Sequence, residues 1–277
     1  MAIRQTGGAV DAGPLSDPLS FAISEQDRQT IAMVEQALRD GRVRLAFQPV
    51  VLAADPQRIA FHEGLIRVLD PGGRVIPARD FMGAVEGRDL GRQIDCAALD
   101  LGLRTLARHT DIRLSVNMSA RSIGYPRWMR VLKRGLQHSP TIGERLILEI
   151  TESSAILVPE IVTAFMDDLQ REGIAFALDD FGAGYTAFRH FKEFFFDVLK
   201  IDGQFIRNIH ADRDNQALTR ALISIARQFE MFTVAEAVET LEEARFLQSV
   251  GIDCMQGYLF GAPTLKPVFM AADRKHA

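Results

Sequence analysis

Eight short apolar runs of strand length, spaced by helical patterns over most of the chain, constrain this sequence more than any other feature. The strand-like runs cover 43–50, 60–68, 112–117, 146–149, 174–179, 197–200, 232–236 and 253–256. Helical periodicity fills 93–108, 128–137, 159–172, 215–230 and 241–250. An earlier helix is predicted from Ser24, which can cap it, with Asp27 three residues on, Ile31, Val34 and Leu38 at helical spacing, and Gly41 as a stop. Strands alternating with helices predict a parallel sheet with covering helices. A length of 277 residues suits one α/β barrel of ~250 residues, and eight strands favour closure over an open sheet. No Gly-rich dinucleotide fingerprint or P-loop opens any helix, so the nucleotide-binding open sheets lose support. Residues 71–73 and 139–140 read as loops inside one domain. The start of the chain, rich in Gly, Ala, Pro and Ser, reads as a flexible tail over 1–23, with the barrel domain over 24–277.

The ends of the runs carry the chemical signal. Ile-Arg-Leu-Ser-Val runs into Asn117, Leu-Ile-Leu into Glu149, and Ala-Phe-Ala-Leu into Asp179 and Asp180. Asp-Val-Leu runs into Lys200, Phe-Thr-Val-Ala into Glu236, and Asp-Cys-Met into Gln256. Glu63 lies inside an earlier run, with Leu65 and Arg67 on its face by alternation. A single polar ending has a dull reading, because strands must stop and loops are polar. A series of six is different. In a barrel of parallel strands the C-terminal ends share one rim, and that rim hosts the active site.

Carboxylates crowded at one mouth repel, so some must protonate or find a cation. Lys200 offsets one charge, and the remainder points to divalent metal. Glu, Asp and Asn oxygens are hard ligands and no His or Cys cluster accompanies them, which favours Mg²⁺ or Mn²⁺ over zinc. Two such ions activate a water and stabilise the attacking and leaving oxygens of a phosphodiester. Asp179-Asp180 alone reads equally well as a turn or cap before Phe181-Gly182-Ala183-Gly184; the strand-end series favours the metal reading.

Composition narrows the setting. A hydrophobic fraction of 47% with 25% charged residues fits a globular chain and excludes a disordered one. The net charge of −4 leaves no broad polycation for polymeric nucleic acid. No apolar run approaches the ~18 residues needed to span a membrane. Cys96 and Cys254 are far apart and read as reduced, buried thiols, and with no export signal the expected location is the cytoplasm.

Taken together, these residues resemble the EAL-domain cyclic di-GMP phosphodiesterases of bacteria, over roughly residues 43–263. Phe47-Gln48-Pro49 resembles the opening strand motif, and Glu63-Gly64-Leu65-Ile66-Arg67 stands where the family has Glu-Ala-Leu and a following Arg. Ser115-Val116-Asn117-Met118-Ser119 resembles the asparagine motif and Glu149-Ile150-Thr151-Glu152 the paired-glutamate motif. Asp179 to Tyr185 resembles the double-aspartate loop. Leu199-Lys200-Ile201-Asp202, Ala235-Glu236-Ala237-Val238-Glu239 and Gln256-Gly257-Tyr258 with Pro263 complete the order.

The resemblance implies a modified TIM (β/α)8 barrel whose first strand runs antiparallel to the rest. It implies one metal on Glu63, Asn117, Glu149 and Asp179, and a second on Asp179, Asp180 and Glu236. Lys200 would orient or help deprotonate the attacking water, with Glu63, Glu236 and Glu239 completing the catalytic group. Gln48, Leu65, Arg67, Asp202 and Gln256 would meet substrate, Arg67 through a phosphate, while Glu239 and Gln256 would also support the metals and water. Glu152 would hold the loop after Asp180, and that loop with its following helix would form a homodimer contact.

This sequence departs from the pattern in places. Gly64 replaces the name-giving Ala, which would loosen the strand carrying Glu63. Ala237 replaces a glycine, and a positive φ there would strain it by ~1 kcal/mol. Around the dimer segment, Phe188, Phe191 and 194–196 replace leucines and proline; core packing and an aromatic dimer surface both remain open. His62 should face away from Glu63, and Trp128 should pack. Arg121, Arg127, Arg130, Lys133 and Arg134 read as a solvated helix face or as a surface for an anionic partner.

Three functions follow. The first is hydrolysis of cyclic di-GMP to linear pGpG with two metals. The second is an inactive or weak receptor that binds cyclic di-GMP and signals through a partner. The third is a protein-interaction domain that binds no dinucleotide. Retention of every predicted ligand and of Lys200 favours the first.

Overall fold

The computed structural model describes residues 18–182 and 194–271, with side chains from Glu25 onward. The strands are β1 Val43–Leu52, β2 Ile59–Leu69, β3 Val75–Pro77, β4 Leu114–Asn117, β5 Leu146–Thr151, β6 Ala175–Phe181, β7 Val198–Ile201, β8 Phe232–Ala235 and β9 Cys254–Gln256. The helices are α1 Pro18–Arg39, α2 Met82–Val85, α3 Asp89–Arg108, α4 Pro126–Leu136, α5 Glu152–Ile156, α6 Pro159–Gln170, α7 Gly203–Ile206, α8 Arg213–Gln228, α9 Leu241–Val250 and α10 Val268–Ala271.

The sheet closes on itself. Its order is β1-β9-β8-β7-β6-β5-β4-β2, with β1 pairing back to β2 and β3 attached outside the ring. β1 runs antiparallel to both neighbours, and the pairs from β2 through β4 to β9 are parallel. The expected modified barrel with an antiparallel first strand is therefore the observed one. Each strand of the sequence reading is present, within a few residues at its ends. β3 was not foreseen: it has only three residues and forms after a tight turn in which Arg74 N donates to Asp70 Oδ1.

Local signals explain most helix limits. Proline occupies the first turn of α4 and α6, where a missing N–H costs nothing. Asp212 caps α8, and α9 opens with a Thr240–Glu243 capping box and stops at Gly251, whose φ is 80°. The first helix differs from expectation. α1 begins at Pro18, so Ser24 lies within it and does not cap it, and helix occupies 18–23, which read as tail. The residues before Pro18 lie outside the described part of the chain.

Inside the ring, Val50, Phe61, Ile147, Ala177, Val198, Val234 and Cys254 form one buried cluster. Each stands two positions along its strand from Gln48, Glu63, Glu149, Asp179, Lys200, Glu236 and Gln256 respectively. Side chains two apart share a strand face, so the apolar plug and the polar mouth are consecutive layers of one interior. The larger core lies between strands and helices and includes Trp128, fully buried against Phe165. His62 points outward into this shell, as expected, with its ring edge-on to Phe269. Both cysteines are buried and free. No helix among the described residues is long and apolar enough to cross a membrane.

Candidate functional site

Lys200 defines the centre of the mouth. It leaves β7 pointing inward and is 1% exposed. Its Nζ lies 2.8 Å from Glu149 Oε2, Asp179 Oδ1 and Glu236 Oε1, and 3.4 Å from Glu63 Oε2. One ammonium thus faces four carboxylates from β2, β5, β6 and the end of β8. Burial alone pulls its pKa down, but Asp179, Glu149, Glu236 and Glu63 together raise it well above the ordinary lysine value.

The carboxylates respond unequally. Glu63 is opposed by burial but falls below its usual range, because Lys200 attracts it and Gln256 and Asn117 donate to it. Those donors are Gln256 Nε2 at 2.6 Å and Asn117 Nδ2 at 2.8 Å. Register accounts for their meeting: Glu63 pairs with Gln48 across β1 and with Ser115 across β4, and Asn117 pairs with Glu149 across β5. Glu149 is driven well above its usual range by burial and by repulsion from Glu63 and Asp179. Glu236 is pushed up to about 8, chiefly by burial. Asp180, on the exposed rim, rises to about 6 through desolvation at the mouth and repulsion from Asp179.

Asp179 and Asp180 are adjacent, yet both reach the mouth. Strand alternation would send them to opposite faces. The β6–β7 register shifts between Leu178 and Phe181, and Asp180 adopts φ 54°, so the strand kinks where the second aspartate must turn inward. Oxygens of Asp179, Asp180 and Glu236 can be chosen within 4.8 Å of one another, a spacing a cation can bridge. Glu149 Oε1 is buried and makes no hydrogen bond. Unsatisfied buried carboxylate oxygens are costly, and a hard divalent cation is the partner their chemistry suits. The acidic cluster therefore fits the metal that the sequence implied.

The mouth opens as a cavity of about 460 Å³. It is lined by Gln48, Glu63, Leu65, Asp179, Asp180, Lys200, Asp202, Glu236, Glu239 and Gln256, ten of the residues singled out from sequence. Gln256 Nε2 also reaches Gln48 Oε1 at 3.2 Å. Asp202 caps α7 through Gln204 N at 2.7 Å, so part of its carboxylate is committed to structure. Asn117 lines an adjoining cavity of about 310 Å³ with Glu63 and Asp179. Glu149 lies beneath Lys200, and Glu152 Oε2 accepts from Gly182 N at 3.0 Å, which ties the chain just after Asp180. Arg67 is apart from both cavities, and its Nη1 donates to the Ile66 carbonyl.

Some neighbours were not foreseen. Arg207, Gln204 and Tyr258 line the main cavity, and Asp95 lines the adjoining one. Asp95 is buried in α3, accepts from Ser122 Oγ at 2.6 Å and Ser119 N at 3.0 Å, and is pushed up to about 6 by burial. An aspartate on the apolar face of an amphipathic helix was the available signal. The double-aspartate motif beyond Gly182 and the residues 186–191 lie outside the described part of the chain. Of the phenylalanines after them, Phe194 and Phe196 join the core, while Phe195 is exposed.

Comparison with known proteins agrees with this geometry. The EAL domain family matches residues 31–263. The chain is 29% identical over 243 residues to a protein of Pseudomonas aeruginosa named cyclic di-GMP phosphodiesterase NbdA, covering 86% of this chain and 31% of that one. It is 31% identical over 235 residues to cyclic di-GMP phosphodiesterase PdeF of Escherichia coli, covering 83% and 31%. The chain thus spans about a third of the length of these curated relatives. Among solved structures, a complex described as PaMucR phosphodiesterase with c-di-GMP superposes with TM-score 0.78 at 30% identity, over 85% of this chain and 97% of that one. The FimX EAL domain of Pseudomonas aeruginosa bound to c-di-GMP gives 0.77 at 26% identity, over 85% and 96%.

Proposed function

The chain belongs to the EAL-domain family, and from that premise we propose that it is a metal-dependent phosphodiesterase that opens cyclic di-GMP to linear pGpG. The observation that carries the reading is the meeting of Lys200 with Glu63, Glu149, Asp179 and Glu236 at one mouth. Receptor-type relatives are expected to lose part of that set, and this chain keeps all of it.

Glu63, Asn117, Glu149 and Asp179 would hold one Mg²⁺ or Mn²⁺, and Asp179, Asp180 and Glu236 a second. Two such cations supply positive charge to a phosphodiester and lower the pKa of an attacking water. Lys200, buried among these carboxylates, would orient the attacking water or help deprotonate it. Glu236, as a ligand of the second cation, would be ionised when metal is bound, so its raised pKa belongs to the metal-free site. Water oxygen adds to phosphorus, the bond to the ribose 3′ oxygen breaks, and that oxygen leaves with a proton. Gln48, Leu65, Asp202 and Gln256 line the volume available to the substrate, and Glu239 closes it near Glu236. Arg67 Nη1 donates to the Ile66 carbonyl, and the other guanidinium N–H groups would serve a substrate phosphate. We further propose a homodimer through the segment after Asp180, in the cytoplasm, with exposed Phe195 at its edge.

The test is turnover. The purified chain with Mg²⁺ or Mn²⁺ should convert cyclic di-GMP to pGpG by chromatography, and Glu63→Ala should abolish conversion. Tight calorimetric binding of the dinucleotide without product under either metal would instead establish the receptor. Absence of binding would leave only the protein-interaction role.

A further inference from the structure

The basic residues of α4 do not form an isolated solvated face. They form one wall of a groove of about 1100 Å³ on the outside of the barrel, which shares no lining residue with the mouth. α3 supplies its floor and α1 the opposite wall. Leu38, Val43, Cys96, Ala97 and Val131 make the bottom apolar. Arg39, Arg104, Arg127, Arg130, Lys133 and Arg134 stand around it, against two carboxylates, Glu35 and Asp100. Those two acids are already engaged: Asp100 by Arg104 and Arg134, and Glu35 by Arg39. Arg127, Arg130 and Lys133 have no ion pair among the described residues, and all three are exposed. A chain of net charge −4 therefore concentrates unpaired positive charge beside an apolar floor.

The groove is elongated. A second cavity of about 360 Å³ shares Asp100, Arg104, Val131 and Arg134 with it and adds Arg108 and His138. From Gln93 to Arg108 along α3 is ~22 Å at the helical rise. No Phe, Tyr or Trp side chain lines either cavity. We propose that this groove docks an acidic amphipathic helix of a partner protein, about four turns long. Its apolar stripe would cover Leu38, Ala97 and Val131, and its Glu and Asp flanks would meet Arg127, Arg130 and Lys133. Grooves that take amphipathic helices read anchors at i, i+3, i+4 and i+7 in this manner. Electrostatic complementarity would set the rate and selectivity of docking.

The test uses the whole chain and a synthetic 18-residue helical peptide, with Leu at i, i+3, i+4 and i+7 and Glu on the flanks, followed by fluorescence anisotropy. A peptide of the same composition in scrambled order is the control. The designed peptide should bind at least tenfold more tightly than the scrambled one. The triple variant Arg127→Glu, Arg130→Glu, Lys133→Glu should lose at least tenfold of that binding while keeping wild-type circular dichroism and cyclic di-GMP turnover. Raising ionic strength should weaken the wild-type complex and leave the variant unchanged. Equal binding of both peptides, no binding at all, equal binding by the variant, or displacement of the peptide by GTP at equal concentration would each overturn the proposal.

Discussion

Lys200 donates a 2.8 Å hydrogen bond to Glu149 from a place where neither side chain touches solvent. The pair is the deepest point of a cluster in which charge is balanced unevenly, one cation against four acids. Lys200→Met should therefore do two things. Turnover should vanish, because the mouth loses its fixed donor. In chelator the fold should lose about 3 kcal/mol, the scale for removing one partner of a buried pair, or roughly 6–12 °C in Tm for a domain of this size. Part of that loss should return with Mn²⁺, which offsets the stranded acids. Calorimetric scans of both proteins with and without metal check this, and an unchanged Tm in chelator would refute the central role of the ammonium.

The mouth was legible in the sequence because the barrel repeats one rule. On the parallel strands an interior apolar residue, such as Ala177 or Val198, is followed two positions later by a polar one, such as Asp179 or Lys200, and on antiparallel β1 the order reverses, with Gln48 preceding Val50. Asp180 reaches the mouth for a reason that alternation does not contain. Its place depends on a kink in β6 and a left-handed φ of 54°, which arise from the pairing with β7. Asp95 was missed because it comes from a helix, where no strand end marks it. Arg67 shares the face of Glu63 by alternation, yet its guanidinium turns to a backbone carbonyl, a side-chain choice that spacing does not determine. Gly64 was expected to loosen β2, but it is buried and paired on both sides, to Phe47 and Val116.

Ala237 does adopt the left-handed conformation, with φ 54°. Its Cβ occupies the space that a side chain at Gly203 would need: a Cβ there would lie 2.6 Å from it. Gly203→Ala alone should cost about 2 kcal/mol, the usual scale of overpacking. Ala237→Gly should leave stability within ~1 kcal/mol of the wild type, since relief of strain and added unfolded-state freedom oppose each other. In the double variant the clash disappears. Denaturant titrations should show a coupling of at least about 1 kcal/mol in favour of the pair, and simple additivity would contradict the contact.

Glu152 acts on the site at one remove. Its Oε2 takes the Gly182 N–H, and the Gly182 carbonyl accepts from Gln204 Nε2 at 3.1 Å. Gly182 has φ 93° and a Cβ there would strike the Phe205 ring, so only glycine fits this position. Glu152→Ala frees the amide two residues after Asp180. The expected result is a fall of about tenfold or more in kcat and a higher Mn²⁺ concentration for half-maximal activity, with Tm changed by no more than about 2 kcal/mol equivalent. Full activity at wild-type metal concentration would show that the tether does not position Asp180.

The raised acids give the metal-free protein an unusual pH profile. Glu236 titrates from 4.5 in an unfolded chain to about 8 in the fold, and Asp180 and Asp95 from 3.8 to about 6. Between those values the folded state holds protons that the unfolded state has released. Stability then falls as pH rises, since the slope follows the difference in bound protons between unfolded and folded states. The decline should be steepest between about pH 4.5 and 6, where all three contribute, and should continue more gently to about 8. Glu63, lowered in the fold, acts in the opposite sense, and its contribution is lost only as pH drops below 4.5. A divalent cation takes the place of those protons, so its affinity should climb with pH over the same span and its binding should release protons. Chemical denaturation in chelator from pH 4.5 to 8.5, repeated with Mn²⁺, should show the downward slope flattened or inverted by metal. A metal-free stability that rises toward pH 8 would contradict the raised pKa of Glu236.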